Sequence, residues 1–268
     1  MSDSDWAEEN QKTKVAWNTN AHFWDERMGE GNDFVNVLIW PATLRLLDPQ
    51  PGQRILEVAC GNGLYARKLA SMGAEVVAVD FSEELIALAR KKETYAGAIT
   101  YQVIDATSEE ELLALEDKPF DAALCQMALF DMADVDPLMR SLPRLLKPGA
   151  PFVFSIVHPC FNNNFFKFVA EREDQDGKLV TTYSLNIRAY ISPSADPGLA
   201  MADQPVPHVY FHRPISQILG SAFAAGFVLS GMEEPVFPPG YPQGSSELSW
   251  GGNYSEFPPV LAARMRLA

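Results

Sequence analysis

Three successive apolar runs of this chain end in residues able to hold a polar ligand. The first, residues 55–66 (ILEVACGNGLYA), carries Glu57, then Gly61-Asn62-Gly63, then a helical pattern at once. Glycines there permit a tight turn and close approach of the backbone, and a helix start offers free N–H groups. The same spacing also serves a plain strand-to-helix turn. Asp80 closes VVAVD, 17 residues past Gly63, where a carboxylate can accept both hydroxyls of a ribose. Asp105 closes YQVID and can meet an adenine amino group or the neighbouring backbone. Aspartate after a strand is also a common cap or turn former, so the three residues carry the reading only as a set.

Gly61 to Ala66 formally fits G-x-G-x-x-G/A, which raises an NAD-dependent oxidoreductase as an alternative. Glu57 opposes it. A charge inside the first strand of a buried sheet is costly unless it faces a polar ligand, and a carboxylate there repels a pyrophosphate. An ammonium at Glu57, ribose at Asp80 and adenine at Asp105 describe S-adenosylmethionine. A nucleotide-binding regulator without catalysis is a further alternative.

Positioning these residues requires a parallel sheet. Residues 54–59, 75–79, 99–104, 121–126 and 151–157 read as strands, and 64–72, 82–92 and 135–146 as helices, with Ser82 as an N-cap. The alternation predicts a doubly wound α/β core with helices on both faces. Residues 5–18 and 34–47 read as helices, the second with Asp33 as a possible cap and Pro41 as a kink. Residues 161–213 show alternating segments, among them 179–190 after the turn pair Asp176-Gly177, and the α/β pattern resumes with a helix at 215–225 and strands at 227–231 and 259–267. The expected organisation is an N-terminal helical cap (1–50), a cofactor-binding core (51–160 and 214–268) and a lid-like insertion (161–213).

The motifs together resemble the class I S-adenosylmethionine-dependent methyltransferases that act on small molecules. Glu57 to Gly63 matches the family's E/D-x-G-x-G-x-G with Ala59 in the first glycine position, and Leu146-Lys147-Pro148-Gly149-Ala150 is similar to its L-K-P-G-G turn. The resemblance, over residues 51–158 and 214–268, implies a mostly parallel seven-stranded sheet with an antiparallel last strand. It implies that Glu57 and the Gly61–Gly63 turn hold the methionine part, Asp80 the ribose and Asp105 the adenine edge. Phe81 and Ala106 would then pack on the adenine, and Gln126 with Met127 would line the cofactor near the methyl group. Trp17, Phe23, Trp24 and Met28 form an aromatic stretch in the N-terminal zone, which in the family commonly folds over the cofactor; Trp24 is its candidate contact. S-adenosylhomocysteine would be the product.

A hydroxyl acceptor needs a base. His158, at the end of the fifth strand, and Tyr210 with His212 in VYFHRP are the candidates, although His212 suits a structural hinge equally well. No metal is expected, because Pro207 and the strand-like Val-Tyr-Phe oppose a helix presenting both His208 and His212. The aromatic-rich insertion favours an aromatic or apolar acceptor.

Composition narrows the partners. The 268 residues are 47% hydrophobic with 21% charged, which excludes disorder and coiled coil. Three cysteines without a C-x-x-C pair oppose a disulfide framework. A net charge of −14 opposes a nucleic-acid partner, as does the absence of a D/N-P-P-Y/W run after the fourth strand. No apolar run is long enough to span a membrane, and the polar, acidic start is unlike a secretory signal, so a soluble, cytoplasmic protein is expected.

Overall fold

Five apolar runs pair in parallel, with β3 at the partly exposed edge and the others buried on both faces: β1 (Arg54–Val58), β2 (Glu75–Asp80), β3 (Ile99–Val103), β4 (Ala122–Gln126) and β5 (Pro151–Val157). These assignments come from a computed structural model that describes residues 3–95, 97–115 and 118–268. Two later strands, Phe227–Glu233 and Val260–Leu267, complete a seven-stranded sheet, and the final strand runs antiparallel to both its neighbours. Numbered in chain order as β10 and β11, they give the order β10-β11-β5-β4-β1-β2-β3. The chain leaves β1 toward β2 on one side and reaches β4 on the other, so the crevice between β1 and β4 is the switch point where such sheets bind ligands.

Alternation along β1 assigns the two faces. Leu56 and Val58 enter the core beneath α5 (Glu109–Leu113), α6 (Asp136–Leu145) and α7 (Ile215–Ala224). Ile55 joins the core under α2 (Trp40–Leu47), α3 (Leu64–Ser71) and α4 (Glu83–Lys91), and Glu57, by the same period, lies on that side. Ser82 caps α4 as expected, accepting the Leu85 N–H at 3.2 Å.

The N-terminal zone departs from expectation. One helix, α1 (Asp3–Met28), replaces the shorter one expected at 5–18, because its polar side chains find partners on other elements and hold the extra turns. In place of one kinked helix at 34–47, a π-helical turn (Phe34–Ile39) runs into α2, with Pro41 at the start of α2. There the missing proline N–H does least harm, and the wider π turn absorbs the mismatch. Asp33 makes no capping bond; Asn32 Oδ1 accepts the Val35 N–H instead. The five-residue α5 is an element that hydrophobic periodicity does not reveal.

The insertion is β-rich. Strands β6 (Phe166–Gln175) and β7 (Lys178–Ile187) form a hairpin whose turn residues Asp176 and Gly177 both take positive φ. Strand β8 (Ser194–Gly198) pairs with β9 (His208–His212) in a second ribbon.

Candidate functional site

The carboxyl ends of β1 to β5 open on a cavity of about 590 Å³. At the end of β1, Ala59 and Gly61 take φ of 55° and 56°. Both line the cavity, and open space stands where a Cβ on Gly61 would project. Gly63 serves packing instead. A Cβ there would meet the Tyr101 hydroxyl at 2.5 Å, and Gly63 does not line the cavity.

Asp80 ties two strand ends together. Its Oδ2 accepts the Gly61 N–H and its Oδ1 the Ser82 N–H, both at 2.8 Å. Burial lifts its carboxyl to about 6, against the pull of those two N–H groups. Phe81, next in the chain, also lines the cavity. Asp105 accepts the Thr107 N–H at 2.8 Å and the Asn10 side-chain amide at 2.6 Å, which fastens α1 to the end of β3, with Ala106 lining the cavity beside it.

At the end of β4, Gln126 is buried with its orientation set by chemistry. Its Oε1 accepts the Thr43 and Ser155 hydroxyls at 2.9 and 2.7 Å. The amide therefore directs Nε2 elsewhere, and Nε2 has no hydrogen-bond partner among the described residues. Met127 follows at φ 53° and lines the cavity. Helix α1 crosses above this edge. Its Trp17 and Trp24 line the cavity, set edge to face with ring centroids 5.0 Å apart. Asn18 accepts the Ser82 hydroxyl, and Asn20 bonds Val206 in the insertion.

Glu57 and His158 are not among the cavity-lining residues. Glu57 is buried on the α3 face, where it accepts the Ala66 N–H at the first turn of that helix, while its Oε2 has no partner among the described residues. Burial pushes its carboxyl up to about 8, with Arg67 opposing. His158 is 1% exposed. Its Nδ1 accepts the Cys160 N–H at 3.1 Å and its Nε2 meets the Glu234 carboxylate at 2.8 Å. Both ring nitrogens are thus committed, Nδ1 to the turn after β5 and Nε2 to Glu234, which corrects the expectation that His158 faces the acceptor.

Tyr210 and His212 do line the cavity. His212 Nε2 donates to the Tyr190 carbonyl at 2.6 Å, and the neighbouring Arg213 binds the carbonyls of Leu129, Met132 and Ala133 at 3.3, 2.9 and 2.5 Å. Burial and the nearby Asp131 carboxyl raise the Tyr210 phenol. Phe166 from β6 and Trp250 from the β10–β11 connection add an apolar wall. Sequence reasoning passed over Asp131 and Trp250. Asp131 lacks a strand to end, and Trp250 lies in a connection with no periodicity. Among the described residues no three His, Cys, Asp or Glu side chains gather as metal ligands, and no helix is long and apolar enough to cross a membrane.

Residues 56–154 match the family model described as "Methyltransferase domain". A ubiquinone biosynthesis O-methyltransferase of Xylella fastidiosa is 37% identical over 110 residues, 41% of this chain and 44% of that protein. One from Hahella chejuensis is 29% identical over 158 residues, 58% of this chain and 64% of that protein. The chain thus matches less than two thirds of the length of these curated relatives. Among solved structures, an S-adenosylmethionine-dependent methyltransferase from Mesorhizobium loti superposes with a TM-score of 0.62 at 27% identity, covering 85% of this chain and 96% of that one. A glycopeptide N-methyltransferase crystallised with S-adenosylmethionine shares the fold, with a TM-score of 0.53 at 15% identity over 94% of each chain.

Proposed function

We propose that this chain, which belongs by its domain and its sheet to the class I S-adenosylmethionine-dependent methyltransferases, moves the methyl group of that cofactor to a small-molecule acceptor. The observation that carries the reading is the convergence of four strand ends on one cavity: Gly61, Asp80, Asp105 and Gln126 all line it. The residues fit the group. Gly61 leaves room for a ligand against its backbone, and Gln126 Nε2 is a buried donor without a partner, suited to a carboxylate. Asp80 keeps free lone pairs for ribose hydroxyls, and Phe81 and Ala106 flank Asp105 as an adenine edge would require. Glu57 supports the site from beside the turn, where it accepts the Ala66 N–H at the start of α3; the argument against NAD is the match to methyltransferases in domain and fold.

When bound, the cofactor supplies a methyl group on a positively charged sulfur. The chain's own residues then have two tasks. Trp17, Trp24, Phe166 and Trp250 exclude water from the cavity, and the β9 segment with the loop after β4 orients the acceptor. Removing water and fixing the approach supply much of the rate in such a displacement. A base is required only when the acceptor loses a proton. The acidic balance and the carboxyl-lined cavity support a small molecule over a nucleic acid. Incubation of the chain with S-adenosylmethionine and a metabolite extract, followed by mass spectrometry, should reveal a metabolite heavier by one methylene, together with S-adenosylhomocysteine. Cofactor binding with no such product would instead support the non-catalytic regulator.

A further inference from the structure

One carboxyl group in the cavity has no part in the reaction as described. Asp131, in the loop after β4, is 7% exposed, lines the cavity, and has an Oδ1 with no hydrogen-bond partner among the described residues. Asp80 and Asp105 are both engaged with backbone N–H groups. An unpaired buried carboxyl oxygen is costly and calls for a ligand. The Trp17 indole holds the group from one side. Its loop is fixed as well: the Phe211 N–H donates to Phe130 O at 2.7 Å, and Arg213 clamps the carbonyls on either side.

A polar chain reaches the same place from the insertion. The Asn20 amide donates to Val206 O and accepts the Val206 N–H, which fixes its orientation and directs Nδ2 at His208 Nε2, 2.8 Å away. His208, stacked on Trp17 at 4.0 Å, therefore accepts at Nε2 and carries its proton on Nδ1, 3.4 Å from the Tyr210 oxygen. That leaves the Tyr210 O–H free to turn toward another partner. Around this polar corner stand Phe130, Met127, Phe166 and Trp250, and the only Lys or Arg lining the cavity among the described residues is Arg213, occupied with three carbonyls.

We propose that Asp131 receives the N–H or O–H group of the acceptor and takes the proton that this group loses, so that the chain methylates amines or hydroxyl compounds with an apolar body and no anionic group. The proposal rests on the methyl-transfer reading above. The acceptor gives its lone pair to the methyl carbon, the carbon–sulfur bond breaks with its pair left on sulfur, and the released proton passes to Asp131 in its carboxylate form. Burial and the nearby Asp80 raise the Asp131 carboxyl well above the usual carboxylate range, with the Trp17 indole opposing, so its carboxylate form, the one that takes the proton, is a stronger base than an ordinary aspartate.

Calorimetry of the full chain, with and without S-adenosylhomocysteine, tests this using four probes on one aromatic body: phenethylamine, 2-phenylethanol, ethylbenzene and 3-phenylpropionate. The amine or the alcohol should bind about tenfold or more tighter than both the hydrocarbon and the anion, and whichever leads tells amine from hydroxyl acceptors. Asp131→Ala and Asp131→Leu should each erase that preference while S-adenosylhomocysteine affinity stays within about twofold, since neither change removes a cofactor contact. Equal binding of the four probes to the unaltered chain, or a preference that survives in both variants, overturns the proposal. Failure of the unaltered chain to bind S-adenosylhomocysteine overturns the cofactor reading instead, and the probe series without it still reads the Asp131 site.

Discussion

At the scale of single residues, Ala59 shows what the sequence departure from the family's glycine costs. Its φ of 55° lies in the left-handed region, where a Cβ is penalised by about 1–2 kcal/mol and glycine is not. Ala59→Gly should therefore raise stability by about 1 kcal/mol, less the extra chain entropy of glycine, read as a higher urea midpoint. Glu57 makes a second prediction. Its folded value of about 8 stands above the ordinary 4.5, so between these pH values the unfolded chain ionises and the folded one does not. The stability this group contributes is complete below pH 4.5 and is lost as pH rises through 8. Asp80, raised to about 6, adds the same sign at lower pH, while His208, lowered to about 4, opposes it below 6.5. From pH 6.5 to 8 the ligand-free chain should lose stability, by up to about 1.4 kcal/mol per pH unit from Glu57, and Glu57→Gln should flatten the slope in urea melts repeated across that range. Asp131, raised by burial with the same sign, leaves a residual slope. The glycine turn, Asp80 and Asp105 were legible because each ends a strand, and parallel topology brings strand ends together. His158 was not, since its partner Glu234 comes from far along the chain.

At the scale of elements, the junction of β9 and α7 holds the loop after β4 that lines the cavity. Arg213 binds three carbonyls of the loop after β4, and the His-Arg-Pro junction that sequence reading treated as a possible hinge is thereby a clamp on Asp131. Lysine lacks the planar fork that reaches several acceptors at once. Arg213→Lys should cost about 1–3 kcal/mol in denaturant unfolding and raise hydrogen exchange over residues 128–133 without touching a cofactor contact. The core strands and α3, α4 and α6 were legible within a residue or two from periodicity and caps. The length of α1 was not, because its extra turns are held by Asn10, Asn18 and Asn20 bonding other elements. Nor were residues 234–259, whose order comes from packing such as that of Phe237 on Tyr241 and not from any local pattern.

At the scale of the molecule, the sheet's switch point brings Gly61, Asp80, Asp105 and Gln126 to one cavity, which residues of α1, β6 and β9 also line. The surplus of acid is partly local: Asp80, Asp105 and Asp131 line the cavity, where the only Lys or Arg among the described residues is Arg213. The central claim is the match between cavity and S-adenosylmethionine. Calorimetry of the chain with S-adenosylhomocysteine and with NAD, repeated on Asp80→Asn, tests it most directly. The account predicts one S-adenosylhomocysteine per chain, no NAD binding, and about tenfold or greater weakening in the variant, which loses acceptor capacity toward both the Gly61 turn and the ribose. Binding of NAD without S-adenosylhomocysteine, or unchanged affinity in Asp80→Asn, would contradict it.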